Sequence, residues 1–363
     1  MIKNINKIII LVILLVIIYL CQSTRSKENF ALVSNSFNYN IDHTKWTQNN
    51  DTLTIYTNSL PYHSYGRSTG KTKPATKYFT YTIYNRGGTN VASSNPKSTS
   101  GPDGIVGYAL NGVRIMNAAT GGRPPTASGT GGGKSIWPEV KIDNKTLTYT
   151  AAYYLDSIVD VTIGQDLAGG HADMSGVYHY HDFSFMDAWK TGNGNYDNDT
   201  KTKIGAELTL IPYYNGSATH SDGHSKILGF AFDGYPIYGP YGYKIATDSN
   251  SGIKPMTSGY TTKKNWRNAT ENGIQNVDWF YRNSDKKKNV LILGIFIEDW
   301  EFTNAGDLDI HNGIYCVTPD YPQGTYAYFT CVDSKGITTF PHFVGSTFYG
   351  DVYDNKKYPK GSA

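Results

Sequence analysis

The sequence predicts a mainly β fold: a sandwich-like antiparallel β domain with long Gly-, Pro- and Tyr-rich loops and little helix. Three observations support that class. The apolar segments beyond the N-terminus are short and rich in β-branched and aromatic residues, the types that suit a pleated, half-buried surface. Gly, Pro, Ser and Asn clusters separate them, with 38 Gly and 30 Tyr in 363 residues, as a turn-rich β body requires. No long stretch keeps a helical hydrophobic period.

The first element is the exception. Lys3 and Lys7 precede an unbroken apolar run over residues 8–21. As an N-terminal hydrophobic helix at about 1.5 Å per residue it reaches roughly 21 Å, short of the ~30 Å hydrocarbon core of a bilayer. Residues 1–23 therefore read as a signal peptide or an uncleaved signal anchor. Bulky Tyr19 and Leu20 argue against a lipoprotein site at Cys21. The body is expected outside the cytosol, secreted or membrane-anchored through this segment. Five glycosylation triplets, at Asn50, Asn144, Asn198, Asn215 and Asn268, suit surface loops of an exported chain.

Residues 24–100 form an N-terminal β portion with strands expected at 52–57 and 77–84, packed on the main domain. Residues 101–350 make up that domain, with strands expected at 147–154, 227–232, 290–297 and 325–332, and residues 351–363 are a C-terminal tail. No internal repeat of fixed period is visible.

Composition excludes several function classes. A formal charge of +3 gives no electrostatic footprint for nucleic acid. Three Cys are too few for a disulfide scaffold or a Cys-rich zinc protein. The loop at residues 128–135 looks like a phosphate loop, but Ser128 stands at its first glycine and Trp137-Pro138 follows where a helix should start.

The sharpest feature is a histidine cluster. Five of nine His lie between His171 and His224, among them His179 and His181 in Tyr178-His179-Tyr180-His181. On a strand, His179 and His181 leave one face with Cβ atoms about 7 Å apart, and Tyr178 and Tyr180 leave the other. Two such imidazoles can share a divalent transition metal, Zn or Cu, with His171 as third donor because Gly169 and Gly170 let the chain turn back. The competing reading is an ordinary half-buried strand with imidazoles bonded to main chain. His220-Ser-Asp-Gly-His224 reads as a turn.

The tetrapeptide resembles the naming motif of the YHYH-domain family. So do Asp166-Leu-Ala-Gly-Gly-His171 before it, residues 105–113, residues 228–242, Asp307-Leu-Asp-Ile-His-Asn-Gly313 with residues 318–328, and Phe340-Pro-His-Phe-Val-Gly345. The resemblance covers about residues 101–350 and implies an exported domain of largely uncharacterised activity. Ala168, Ile310 and His311 stand where it implies Cys or acidic residues, so a disulfide usual in the family is expected to be missing here.

Asp166, Tyr178, Tyr180 and Asp233 are candidate ligand-binding residues. Asp233 follows a buried strand, where a carboxylate is unusual. The tyrosines around it offer surfaces for glycan or peptide stacking, which keeps open a cell- or virion-surface interaction module. A secreted hydrolase using Glu298, Asp299, Asp307 or Asp309 is the third reading. Cys316 and Cys331 flank Pro322-Gln-Gly324. A two-residue turn at Gln323-Gly324 would set them opposite each other, and a cross-strand disulfide is expected; a three-residue turn would displace them by one.

Overall fold

A computed structural model describes residues 40–41, 44–61, 74–99, 104–118, 139–142, 145–148, 169–181, 195–197, 202–204, 219–263, 278–282, 288–290, 297–332 and 338–353. The N-terminal apolar run, the loop at 128–135, Asp166 and tail residues 354–363 lie outside the described residues, as do the triplets other than Asn50. The fold is mainly β, and a single 3-10 turn at Ile297–Asp299 is the one helical element among the described residues. No helix there is long and apolar enough to cross a membrane.

The expected strand at 52–57 is present with those bounds, and those at 77–84, 227–232 and 325–332 appear as Phe79–Tyr84, Ile227–Ala231 and Thr325–Phe329. The other two are met only at their edges. Lys145–Thr148 and Lys288–Val290 are strands, but 149–154 and 291–296 lie outside the described residues, and Ile297 enters the 3-10 turn.

Six sheets occur among the described residues, and two of them supply most of the core. The front sheet runs Asn40–Ile41, Thr44–Gln48, Thr52–Thr57, Phe79–Tyr84 in sequence order, all antiparallel. Alternation puts Leu53, Ile55, Tyr81 and Ile83 into the core, with a Thr54–Thr82 hydroxyl contact of 3.0 Å between them on the other face. Trp46 fastens this sheet to the main body: its ring lies 5.7 Å from Phe230, and its Nε1 donates to the Leu110 carbonyl at 2.9 Å.

The second sheet has eight strands in the order Gly313–Cys316, Thr325–Phe329, Pro236–Tyr238, Ile227–Ala231, Ile105–Ala109, Arg114–Met116, Tyr178–Tyr180, Gly170–Ala172. Two pairings, Tyr178–Tyr180 with Arg114–Met116 and Pro236–Tyr238 with Thr325–Phe329, are parallel. The sheet is therefore mixed rather than wholly antiparallel. In each case the parallel partner arrives after a long connection and not through a tight hairpin turn.

Read from its centre outward, the order is a palindrome of hairpins, and the registers match. Gly229 pairs with Ala109 and Ala231 with Gly107 at the axis. Tyr180 pairs with Ile115 in one half, and Tyr328 pairs with Ile237 in the other. His171 faces His179 as Ile314 faces Ala327. The side chains agree as well: the Tyr178–Tyr180 rings lie 5.6 Å apart at 89°, and the Tyr326–Tyr328 rings 5.4 Å apart at 87°. Asn111 Nδ2 donates to Tyr180 Oη at 2.9 Å where Tyr328 Oη donates to Asp233 Oδ2 at 2.6 Å.

The central sheet thus holds a pseudo-twofold structural duplication, although the sequence has no repeat of fixed period. Its halves are spliced with unequal insertions, so the offset between equivalent residues grows from Gly107/Gly229 to Tyr180/Tyr328 and no fixed period exists. At the axis, backbones approach so closely that a Cβ on Gly107 would lie 2.2 Å from the Phe230 carbonyl oxygen, and one on Gly229 2.1 Å from that of Tyr108. Only glycine fits there.

The expected disulfide is absent. Cys316 pairs in register with Thr325 and not with Cys331, and both cysteines are free and buried. The reason is the length of the turn. Thr318 and Tyr321 exchange backbone hydrogen bonds of 3.2 Å, and Gly324 N donates to Tyr321 O at 2.9 Å, so residues 317–324 form a folded loop in place of a two-residue turn. Burial pushes the Cys316 thiol up to about 12 and the Cys331 thiol to about 11.

Candidate metal centre

The site sits on the hairpin at one end of the eight-stranded sheet. Asp173 forms its turn: Oδ1 accepts from Ser175 N at 2.8 Å, Ser175 Oγ at 2.7 Å and Val177 N at 2.9 Å. This is the Asx turn that a short carboxylate favours, and it commits the Asp173 carboxylate to the turn. Beyond the turn, His171 and His179 are direct cross-strand partners. His181 N donates to Gly169 O at 2.9 Å, so pairing continues far enough to keep His181 on the face of His179.

Three imidazoles therefore converge. Ring centroids are 4.5 Å apart for His171–His179, 5.2 Å for His171–His181 and 4.8 Å for His179–His181. One ligand atom from each lies within 4.8 Å of the others. The two Nε2 atoms of His171 and His181 are 3.2 Å apart, close to the ~3.3 Å that two nitrogens bound at about 2.0–2.1 Å to a tetrahedral ion subtend. His179 Nδ1 lies 3.1 Å from the Val177 carbonyl. Since a carbonyl only accepts, Nδ1 carries the proton and Nε2 keeps its lone pair, the tautomer a metal needs.

Electrostatics favour a neutral His181 ring. Burial first, then His179, His171 and His342, hold the His181 imidazole well below the ordinary histidine range, and the Asn117 backbone pulls it the other way. Among the described residues, no carboxylate or thiolate belongs to the group. Three neutral nitrogen donors suit Zn, Cu, Ni or Fe and would leave the double charge of a divalent ion uncompensated.

The other candidates fall elsewhere. Tyr178 and Tyr180 are fully buried in the hydrophobic core and so do not present a ligand surface. Asp233 is also fully buried. It accepts from Tyr328 Oη at 2.6 Å, Gly350 N at 2.9 Å and Tyr235 N at 3.4 Å and does not join the histidines. Burial raises its carboxyl above the usual range, against the pull of these donors.

Among the hydrolase candidates, Asp307 accepts from Lys254 and Thr257, and Asp309 accepts from Tyr326 Oη at 3.0 Å through both oxygens. Asp299 is fully buried, and the Glu298 side chain lies outside the described residues. Asp307 and Asp309 thus have a visible structural task in this arrangement.

Two neighbours escaped the sequence reading. His342 is buried, adopts φ +71° and lies near enough to His181 to disfavour its protonation. Arg114, also buried, is the register partner of His179 on the adjoining strand. Neither lies at a spacing from the tetrapeptide that suggests a link. The Phe340-Pro-His-Phe-Val-Gly345 block, singled out only as a motif, was the available hint for His342.

Neither the curated proteins nor the solved structures searched give a match. The family profile described as YHYH protein matches residues 84–341, the stretch that contains the central sheet and its histidine hairpin, and on that span the chain belongs to the YHYH family.

Proposed function

We propose that this YHYH protein binds one divalent transition-metal ion, Zn or Cu, through His171, His179 and His181. The observation that carries the reading is the convergence of three imidazole nitrogens within 4.8 Å on a hairpin whose His179 tautomer is preset. Three protein nitrogens leave a coordination position for water or a small oxygen ligand, the arrangement of a Lewis-acid centre and not of a closed structural one. The apolar segment at 8–21 supports export, secreted or membrane-anchored, with the metal-binding body outside the cytosol.

Elemental analysis of untagged protein, compared with a His179→Ala/His181→Ala variant, tests this. The variant should lose one equivalent of ion. Equal metal content in the two proteins would overturn the assignment.

A second reading, a surface module that stacks on glycan or protein, draws support from Tyr56 and Tyr78. Their rings stack at 5.7 Å and 16°, at 42% and 53% exposure, a ready platform for a sugar face. Glycan-array binding that is lost in Tyr56→Ala would bear it out.

A further inference from the structure

The outward face of the front sheet carries an ordered set of side chains turned away from the core. Alternation sends Leu53, Ile55 and Thr57 inward on the third strand and Thr54 and Tyr56 outward. Cross-strand register then sets Lys45, Tyr56 and Thr80 in one row and Thr47, Thr54 and Thr82 in the next. Tyr78, just before the fourth strand, falls diagonally beside Tyr56, which is why the two rings stack. Lys45, Thr80 and both rings are exposed.

At the other end of the face, Tyr84 pairs with Thr52, and the Arg86 guanidinium lies over the Tyr84 ring, 4.5 Å from its centroid. Arg86 makes no ion pair among the described residues, and its Nε is buried with no hydrogen-bond partner. The carboxylate that acts on it from below, Asp233, is committed to Tyr328 and Gly350. Four residues of strand set the Tyr84 row and the Tyr56 row roughly 14 Å apart, the length of about three linked sugar rings. The Thr54 and Thr82 hydroxyls, 3.0 Å apart, lie under the middle of that line.

Charge narrows the occupant. The paired strands Thr44–Gln48, Thr52–Thr57 and Phe79–Tyr84 contain no acidic residue. The nearest acid in sequence is Asp51, in the turn at the Tyr84 end. Aromatic rings, hydroxyls and cations in one line complement a chain of rings that bears negative charge. Nucleic acid shares those two features, but a formal charge of +3 gives no field suited to a phosphate on every unit.

We propose that this face binds an extended acidic glycan, a polyuronate or a sulfated chain, with one ring on the Tyr56–Tyr78 stack and its anionic groups on Lys45 and Arg86. The proposal rests on the glycan-stacking reading of Tyr56 and Tyr78 above and adds the charge of the ligand and the line it follows. Asp51 offsets part of the Arg86 charge, so Lys45 is the stronger anionic contact.

The test is biolayer interferometry of the untagged full chain on immobilised polygalacturonate, chondroitin sulfate, methyl-esterified polygalacturonate and oligo(dT), in EDTA so that no ion at the histidine centre contributes. Wild type should prefer an acidic glycan to the methyl ester by about tenfold, less at high salt. The better of the two acidic chains identifies carboxylate or sulfate as the anion. Lys45→Gln should weaken acidic binding about fivefold and Arg86→Gln about threefold, with the ester unaffected. Tyr56→Ala should weaken every glycan about tenfold, and Tyr56→Phe should restore binding. Lys45 and Tyr56 are exposed, so their variants should fold, with near-UV circular dichroism as the check. Equal binding of polygalacturonate and its methyl ester, lost in Tyr56→Ala, overturns the acidic assignment and leaves the glycan reading standing. Acidic binding that survives in both Lys45→Gln and Tyr56→Ala overturns the assignment of this face. Oligo(dT) held as tightly as the acidic glycans overturns the proposal in favour of a general polyanion surface, and no binding to any of the polymers overturns it together with the glycan reading.

Discussion

The two halves of the central sheet follow one backbone plan and fill it with opposite chemistry. Where one half places His171, His179 and His181, the other places Ile314, Ala327 and Phe329 at matching register. Where one has Asn111 beneath Tyr180, the other has Asp233 beneath Tyr328. The shared parts are the paired tyrosines and the glycines that let strands close in, which are requirements of packing. The parts that differ are core packing residues in one half, Ala327 and Phe329, and imidazoles in the other. Polar groups that persist in one half only, at the cost of burying imidazoles, are those to attribute to function.

The largest expected effect tests the shared plan. Gly107→Ala and Gly229→Ala each drive a methyl group into a carbonyl oxygen of the opposite half. Each should cost about 4 kcal/mol or more, or prevent folding, in urea denaturation. A strong penalty in one half with none in the other would break the duplication as a structural description.

Next is the carboxylate that marks the second half. Asp233→Asn retains a partner for Tyr328 but offers one acceptor oxygen where the carboxylate has two, and three donors point at it. A loss of about 1–3 kcal/mol at neutral pH is expected. The pH dependence has a definite sign. Because the folded carboxyl is raised, its stabilising contribution is complete below the unfolded value near 3.9 and is lost as pH rises through the folded value. Asp233→Asn should remove that slope from a stability–pH curve.

Copying the apolar half onto the first sharpens the comparison in the other direction. His171→Ile/His179→Ala/His181→Phe should fold, lose one equivalent of metal, and equal or exceed ion-free wild type in stability by about 1 kcal/mol. His181 is depressed by burial, so its contribution is present above about 6.5 and lost as pH falls below that value. The triple variant should resist acid better, with His224, depressed for the same reason, supplying what sensitivity remains. The smallest effect is none: reductant should leave the melting temperature unchanged, since Cys316 and Cys331 are unlinked. A drop would reinstate the disulfide.

Several strands were legible because alternation and β-branching act locally. The segment 52–57 shows this, with Leu53 and Ile55 inward at period two. The His179/His181 pair was legible for the same reason, since one face of a strand is a property of adjacent residues. The role of Asp233 was not, because its partners Tyr328 and Gly350 come from distant segments. The turn after Cys316 was misjudged because the Thr318–Tyr321 pair, and not the Gln323-Gly324 dipeptide, set where the strands separate.

By itself the sequence determined the β class, the family and the candidate imidazoles, all of which depend on residue types at short spacing. Only the tertiary structure decided that His171 completes the group, that Tyr178 and Tyr180 belong to the core, and that the sheet is a spliced duplication whose other half sets Ile314, Ala327 and Phe329 where the first sets its histidines. Those facts depend on strand order and on which distant backbones pair, and unequal insertions erase both from any local pattern.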